Sequence, residues 1–65
     1  MKFVVIGLGS MGKRRVRNLL RLGHTDITGY DPREDRRAEA AEKYDIETTA
    51  NLDAALAAPA DAWII

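Results

Sequence analysis

The spacing of apolar and polar positions changes several times along the chain. From Lys2 to Ile6 the residues are apolar once Phe3 is reached, Val4, Val5 and Ile6 are β-branched, and a glycine follows at once. A short unbroken apolar run of this kind fits a strand buried on both faces, as a parallel sheet requires. From Gly12 the spacing becomes helical. Gly12, Val16, Leu19, Leu20 and Gly23 fall on one side, and Lys13, Arg14, Arg17, Asn18 and Arg21 fill the other. Gly23 closes this helix, because glycine accepts the left-handed conformation that commonly follows one.

Asp26 to Tyr30 alternates toward a second strand, which Asp31-Pro32 breaks. Pro32 suits the first position of a new helix, and Glu34, three residues after Asp31, completes a capping box with it. The helix is predicted to reach about Tyr44, with Ala38, Ala41 and Tyr44 inward and Glu39 paired to Lys43 outside. Ile46 to Thr48 forms a weak third strand. Asn51 caps a short alanine-rich helix carrying Leu52, Ala55 and Leu56, which Pro59 ends, and Ala62-Trp63-Ile64-Ile65 opens a fourth strand.

Strand and helix alternate throughout, which defines an α/β fold with a parallel sheet and right-handed crossovers. The first two helices then cover one face. Strand order 3-2-1-4 sends the third helix to the other face and leaves a crevice between strands one and four. The expectation is the first half of a doubly wound domain, truncated in its fourth strand. Residues 1–65 would be an N-terminal fragment without a substrate domain, inactive alone and marginal in stability, since so short a chain buries only about 60% of its unfolded surface.

Composition narrows the function. Ten basic residues balance ten acidic ones, there is no cysteine, and the single histidine is His24. Balanced charge gives no general attraction to nucleic acid or an anionic membrane. No apolar run approaches the ~20 residues of a membrane span, and no secretory signal is present, so a cytoplasmic protein is expected. Disulfides and Cys-rich metal sites are excluded, and no residues have metal-ligand spacing. The cations between Lys13 and Arg21 read mainly as a solvated helix face, with Lys13 and Arg14 able to add charge near a phosphate. His24, just past a helix end, reads as a capping residue, Trp63 as core, and Ser10, with no positioned base, as a loop or cap residue.

Gly7, Gly9 and Gly12 match G-x-G-x-x-G, a pattern that is weak alone and stronger after a buried strand, before a helix, and with Asp31 nineteen positions beyond Gly12. Gly7 permits the tight turn, Gly9 lets the backbone approach a pyrophosphate, and Gly12 lets the helix pack closely on the strand. N–H groups around Ser10, Met11 and Gly12 would face the phosphates at the positive helix end. Asp31 has two roles open to it: capping the second helix, and accepting hydrogen bonds from the adenosine ribose hydroxyls, which selects NAD. Arg33 bears on that selection, since an arginine here pairs with a 2′-phosphate and would admit NADP.

The stretches "VVIGLGSMGKRRVRNLL", "GYDPREDRRAEAAEKYDIETTANLDAAL" and "DAWII" together resemble the N-terminal Rossmann-type, dinucleotide-binding part of the Gfo/Idh/MocA oxidoreductases. The resemblance implies hydride transfer between a nicotinamide cofactor, NAD with NADP as the alternative, and a hydroxyl of a sugar, cyclitol or related compound. It places Gly7, Gly9, Ser10, Met11 and Gly12 at the pyrophosphate, and Asp31 with Arg33 at the adenosine. The family's catalytic residues would all lie beyond Ile65, and a small-molecule substrate, like any homo-oligomer, would belong to the full-length protein. "GLGSMG" with "NLLRLGH" is similar also to the β-hydroxyacid dehydrogenases. A non-catalytic NAD(P)-binding or redox-sensing module is the alternative outside the enzymes.

Overall fold

Seven elements alternate in the computed structural model, which describes residues 1–65. They are β1 (Phe3–Ile6), α1 (Ser10–Arg21), β2 (Ile27–Tyr30), α2 (Glu34–Tyr44), β3 (Glu47–Thr49), α3 (Leu52–Ala57) and β4 (Ala62–Ile64). The four strands are all parallel, in the order β3-β2-β1-β4. β1 lies between two neighbours and under helices on both faces, so Val4 and Val5 have no exposed surface although they point in opposite directions. That is why this strand is apolar at successive positions.

Phe3, Ile27 and Ala62 stand in one row across the sheet, and Val5, Gly29 and Ile64 in the next. These rows face α1 and α2, where Phe3, Val5 and Ile27 join Leu8, Val16, Leu19, Ala40 and Ile46 in one apolar cluster. Leu8 is fully buried there because Gly29 has no side chain. A Cβ on Gly29 would stand 2.7 Å from Leu8 Cδ2.

Helix ends follow local chemistry. Gly23 has φ +90°, its N–H donates to the Leu20 carbonyl at 3.0 Å, and the His24 N–H donates to Leu19 at 3.0 Å. This closes α1 as expected, with the His24 ring tilted against Phe3 at 4.8 Å between centroids. Asn51 Oδ1 accepts the Ala54 N–H at 3.0 Å and caps α3. Ala58 is extended, as a residue before proline prefers, and ends that helix.

Four expectations need correction. Asp31 and Glu34 do not form a capping box: α2 begins at Glu34 with Arg33 at its N-cap and no side-chain cap, and Pro32 lies in the turn before it. Asp31 instead accepts the N–H of Arg33 at 2.9 Å, two residues on. On α2 it is Ala40 that is buried, with Ala41 and Tyr44 half-buried, while Ala38 is exposed. Two residues along a helix turn about 200°, so Ala38 and Ala40 face opposite ways.

Trp63 is 41% exposed rather than core. It points away from Ala62 and Ile64 toward α3, where its Nε1 donates to the Ala55 carbonyl at 3.1 Å. α3 has only six residues, and Ala55 alone is buried, so Leu52 and Leu56 stay exposed. β3 starts at Glu47, one position later than the spacing suggests, because Ile46 turns into the core. No helix is long and apolar enough to cross a membrane.

Candidate functional site

The chain leaves β1 at Gly7, whose φ of +94° is one that residues with a Cβ rarely adopt. The Gly7 N–H still donates to the Tyr30 carbonyl at 2.7 Å, so the reversal falls directly at the end of the strand. Leu8 turns down into the core and Gly9 becomes the N-cap of α1. A Cβ on Gly12 would stand 1.7 Å from the Gly7 carbonyl oxygen. The first turn of α1 is therefore pressed against the loop backbone, and only glycine permits that approach. Over Gly9 the one close neighbour is the Arg36 guanidinium, with Nη1 3.4 Å from where a Cβ would be.

The first hydrogen bond of α1 runs from the Lys13 N–H to the Gly9 carbonyl at 2.9 Å. The N–H groups of Ser10, Met11 and Gly12 have no acceptor in the protein. Gly9 offers no side-chain cap, and no acidic residue stands in the first turn. The other helices differ: α2 carries Glu34 and Asp35 in its first turn, and α3 has the Asn51 cap. Only α1 has an unanswered positive end.

An open cleft of about 430 Å³ lies at this end. It is lined by Ile6 and Gly7 at the end of β1, by Gly9, Ser10, Met11, Gly12 and Arg15 of the loop and α1, and by Ile65 just after β4. It sits at the carboxyl ends of β1 and β4, where the strand order reverses, and its volume suits a small-molecule ligand. Of the expected site residues, the three glycines, Ser10 and Met11 come together here. Ser10 has no base beside it and takes part in no side-chain hydrogen bond, so it offers no nucleophile.

Arg15 is the cation in this cleft, and the sequence did not single it out. The available signal was spacing, since Arg15 follows Met11 by one helical turn and shares its face. Lys13 goes elsewhere. Its Nζ meets Glu39 Oε1 at 2.7 Å and joins α1 to α2, while Lys43 meets the same oxygen at 3.2 Å. The two lysines hold the Glu39 carboxyl below its ordinary value, the Lys13 hydrogen bond most strongly.

Asp31 ends β2 and lies outside the cleft lining, only 2% exposed. Its Oδ2 accepts the Leu8 N–H and its Oδ1 the Arg33 N–H, both at 2.9 Å, and Arg36 Nη1 stands 3.6 Å from Oδ2. Burial pushes this carboxyl up, but the two N–H donors and the Arg36 charge outweigh it and hold the group below the ordinary value. Asp31 thus fastens the middle of the glycine loop to the end of β2. Arg33 turns outward, where its Nε and Nη2 donate to the exposed Asp35 carboxylate at 3.1 and 2.8 Å.

A parallel sheet ordered 3-2-1-4, whose central crevice holds a glycine-turned, uncapped helix end, defines a Rossmann-type nucleotide-binding fold. The chain belongs to the family described as "NADP oxidoreductase coenzyme F420-dependent", whose model matches residues 2–65. Membership makes it an NAD(P)-binding domain of the oxidoreductase kind, and gives no specific support to the Gfo/Idh/MocA assignment. No curated protein and no solved structure matches the chain.

Proposed function

We propose that the crevice between β1 and β4 holds the pyrophosphate of a nicotinamide dinucleotide, NAD or NADP, and that residues 1–65 are the cofactor-binding part of an oxidoreductase. The observation that carries this reading is the set of three unpaired N–H groups, on Ser10, Met11 and Gly12, at the open end of α1. A helix N-terminus presents about half a positive charge, and phosphate oxygens satisfy donors that nothing else in the chain reaches. Arg15 adds a full charge from the same cleft. The absence of a side chain on Gly9 leaves room for the ligand backbone, and Asp31 and Arg33 stand on the adenosine side.

When bound, the nicotinamide supplies hydride chemistry, and the residues described here supply binding and orientation. No side chain in the cleft is arranged as an acid, base or nucleophile. A sugar or cyclitol hydroxyl as the hydride partner is supported by the Gfo/Idh/MocA resemblance alone, whereas the family description names coenzyme F420.

Isothermal titration with NAD, NADP and ADP-ribose tests the reading. Saturable binding of one stoichiometric equivalent is expected, and Gly9→Val should abolish it while the circular dichroism spectrum is retained. Absence of saturable binding, or undiminished binding by Gly9→Val, overturns the assignment.

A further inference from the structure

The chain has no cysteine, so its two methionines, Met1 and Met11, carry all of its sulfur. Both are exposed, at 73% and 59%. They stand at opposite ends of the sheet. Met1 precedes β1 at the amino ends of the strands, whereas Met11 lies in the first turn of α1 and lines the cleft at their carboxyl ends. One thioether is therefore open to solvent inside the cleft, and the other is open to solvent far from it.

A hydroperoxide oxidises an exposed thioether directly. A sulfur lone pair attacks one peroxide oxygen, the S–O bond forms as the O–O bond breaks, and the second oxygen leaves as water or an alcohol. Sulfur loses two electrons and the peroxide gains them. With no thiol in the chain, no more reactive sulfur competes for the oxidant. The product carries a strongly polar S=O oxygen in place of a weak acceptor, and like a phosphate oxygen it accepts hydrogen bonds and donates none.

The donor exposed to this change is Arg15. It lines the same cleft, follows Met11 by one helical turn on one face of α1, and has no ionic partner in the chain. A sulfoxide oxygen at position 11 can take its guanidinium away from a phosphate.

We infer that Met11 is an oxidative modification site, that its sulfoxide weakens dinucleotide binding by engaging Arg15, and that a bound dinucleotide in turn shields the sulfur. This rests on the dinucleotide reading above. The change is reversible: methionine sulfoxide reductases use a dithiol to return the oxygen as water, leaving a disulfide on the reductant and the thioether on Met11.

The test follows the two methionine methyl resonances by NMR in isotope-labelled protein treated with hydrogen peroxide, with and without saturating NAD or NADP. Both cofactors are titrated before and after oxidation. Met1 is the internal reference for the oxidant, Met11→Leu assigns the signals, and circular dichroism controls for folding. A cofactor should slow conversion of Met11 by about fivefold or more and leave that of Met1 unaffected, as covering an exposed sulfur does. The oxidised protein should bind both cofactors about 3- to 10-fold more weakly, the effect of diverting one charged donor, and reductase treatment should restore the affinity. Met11→Leu should bind alike before and after peroxide, and oxidation of Arg15→Ala should change its affinity less than about twofold. Unchanged affinity in folded protein carrying the Met11 sulfoxide, a Met11 rate that neither cofactor alters, or an equal loss in Arg15→Ala overturns the inference while the dinucleotide site stands. Failure of both NAD and NADP to bind the untreated protein overturns both.

Discussion

The Leu8 N–H donates to Asp31 Oδ2 at 2.9 Å, joining the middle of the glycine loop to a carboxylate twenty-three residues further on. Asp31 is acceptor to the Arg33 N–H as well, so one buried side chain fixes both the loop and the turn into α2. An amide in its place keeps one acceptor and turns its NH₂ toward a main-chain donor. Asp31→Asn is therefore expected to lower stability by about 1.5–3 kcal/mol, as loss of a hydrogen bond to a charged group does, measured as a shift in chemical denaturation midpoint.

The same carboxylate gives a pH dependence of known sign. Its pKa is lowered from 3.8 in the folded protein, so its stabilisation is fully present above that value and disappears as pH falls through the lower folded value. Asp35 and Glu39 are lowered too, so the contribution of Asp31 is read as a difference between two proteins. Thermal melts from neutral pH downward should show the unaltered protein losing stability below 3.8 more steeply than Asp31→Asn. Parallel acid profiles would remove Asp31 from this role.

Two glycines of the loop should separate folding from binding. Gly12→Ala places a Cβ 1.7 Å from the Gly7 main-chain carbonyl oxygen, which no side-chain rotation relieves, and should destabilise by about 3 kcal/mol or more, at or beyond the upper end for overpacking. Gly9→Ala meets only the mobile end of Arg36 at 3.4 Å, so its melting temperature should stay within a few degrees while dinucleotide affinity falls. Equal melting temperatures for the two variants would contradict the packing described.

Arg15 lines the cleft proposed for the pyrophosphate common to NAD and NADP, so its removal should not discriminate between them. Arg15→Ala is expected to weaken NAD and NADP by a common factor of about 5- to 30-fold, with the loss shrinking as salt is raised. Titrations at two ionic strengths check this. A loss confined to NADP would place Arg15 at the adenosine rather than at the pyrophosphate.

Asp45 is the one residue other than glycine with positive φ, at 53°, where it ends α2 before the buried Ile46. Asp45→Gly should be neutral or add up to about 1 kcal/mol, whereas Asp45→Val should cost about 1–2 kcal/mol because a β-branched side chain crowds the backbone there. Denaturant titration of the pair decides it.

The sequence made the architecture legible because β1 is a short apolar run, α1 has a clear apolar stripe, and turn and cap residues (Gly23, Pro32, Asn51, Pro59) mark the boundaries between elements. Gly7, Gly9 and Gly12 were legible for the same reason, as their tasks are set within six residues. Of the two roles open to Asp31, the helix cap was not met, because local rules find the nearest donor and the Leu8 N–H that competes for the carboxylate is distant in sequence. The contact of Leu8 with Gly29 and the placing of Arg36 over Gly9 likewise exist only after β1 and β2 pair. Trp63 was expected in the core from its place in an inferred buried strand, but an edge strand beside a six-residue helix leaves its ring partly outside.

That half-exposed indole is the only tryptophan in the chain, and its Nε1 is tied to the Ala55 carbonyl on the opposite face from the apolar cluster of α1 and α2. Its ultraviolet emission is consequently an intrinsic optical gauge of whether α3 is seated. Detachment of α3 would hydrate the ring and red-shift the spectrum without any added label. A ligand settling on Gly9 would be silent at that wavelength unless the two faces of the sheet communicate, so a shift on adding dinucleotide would measure crosstalk through β1.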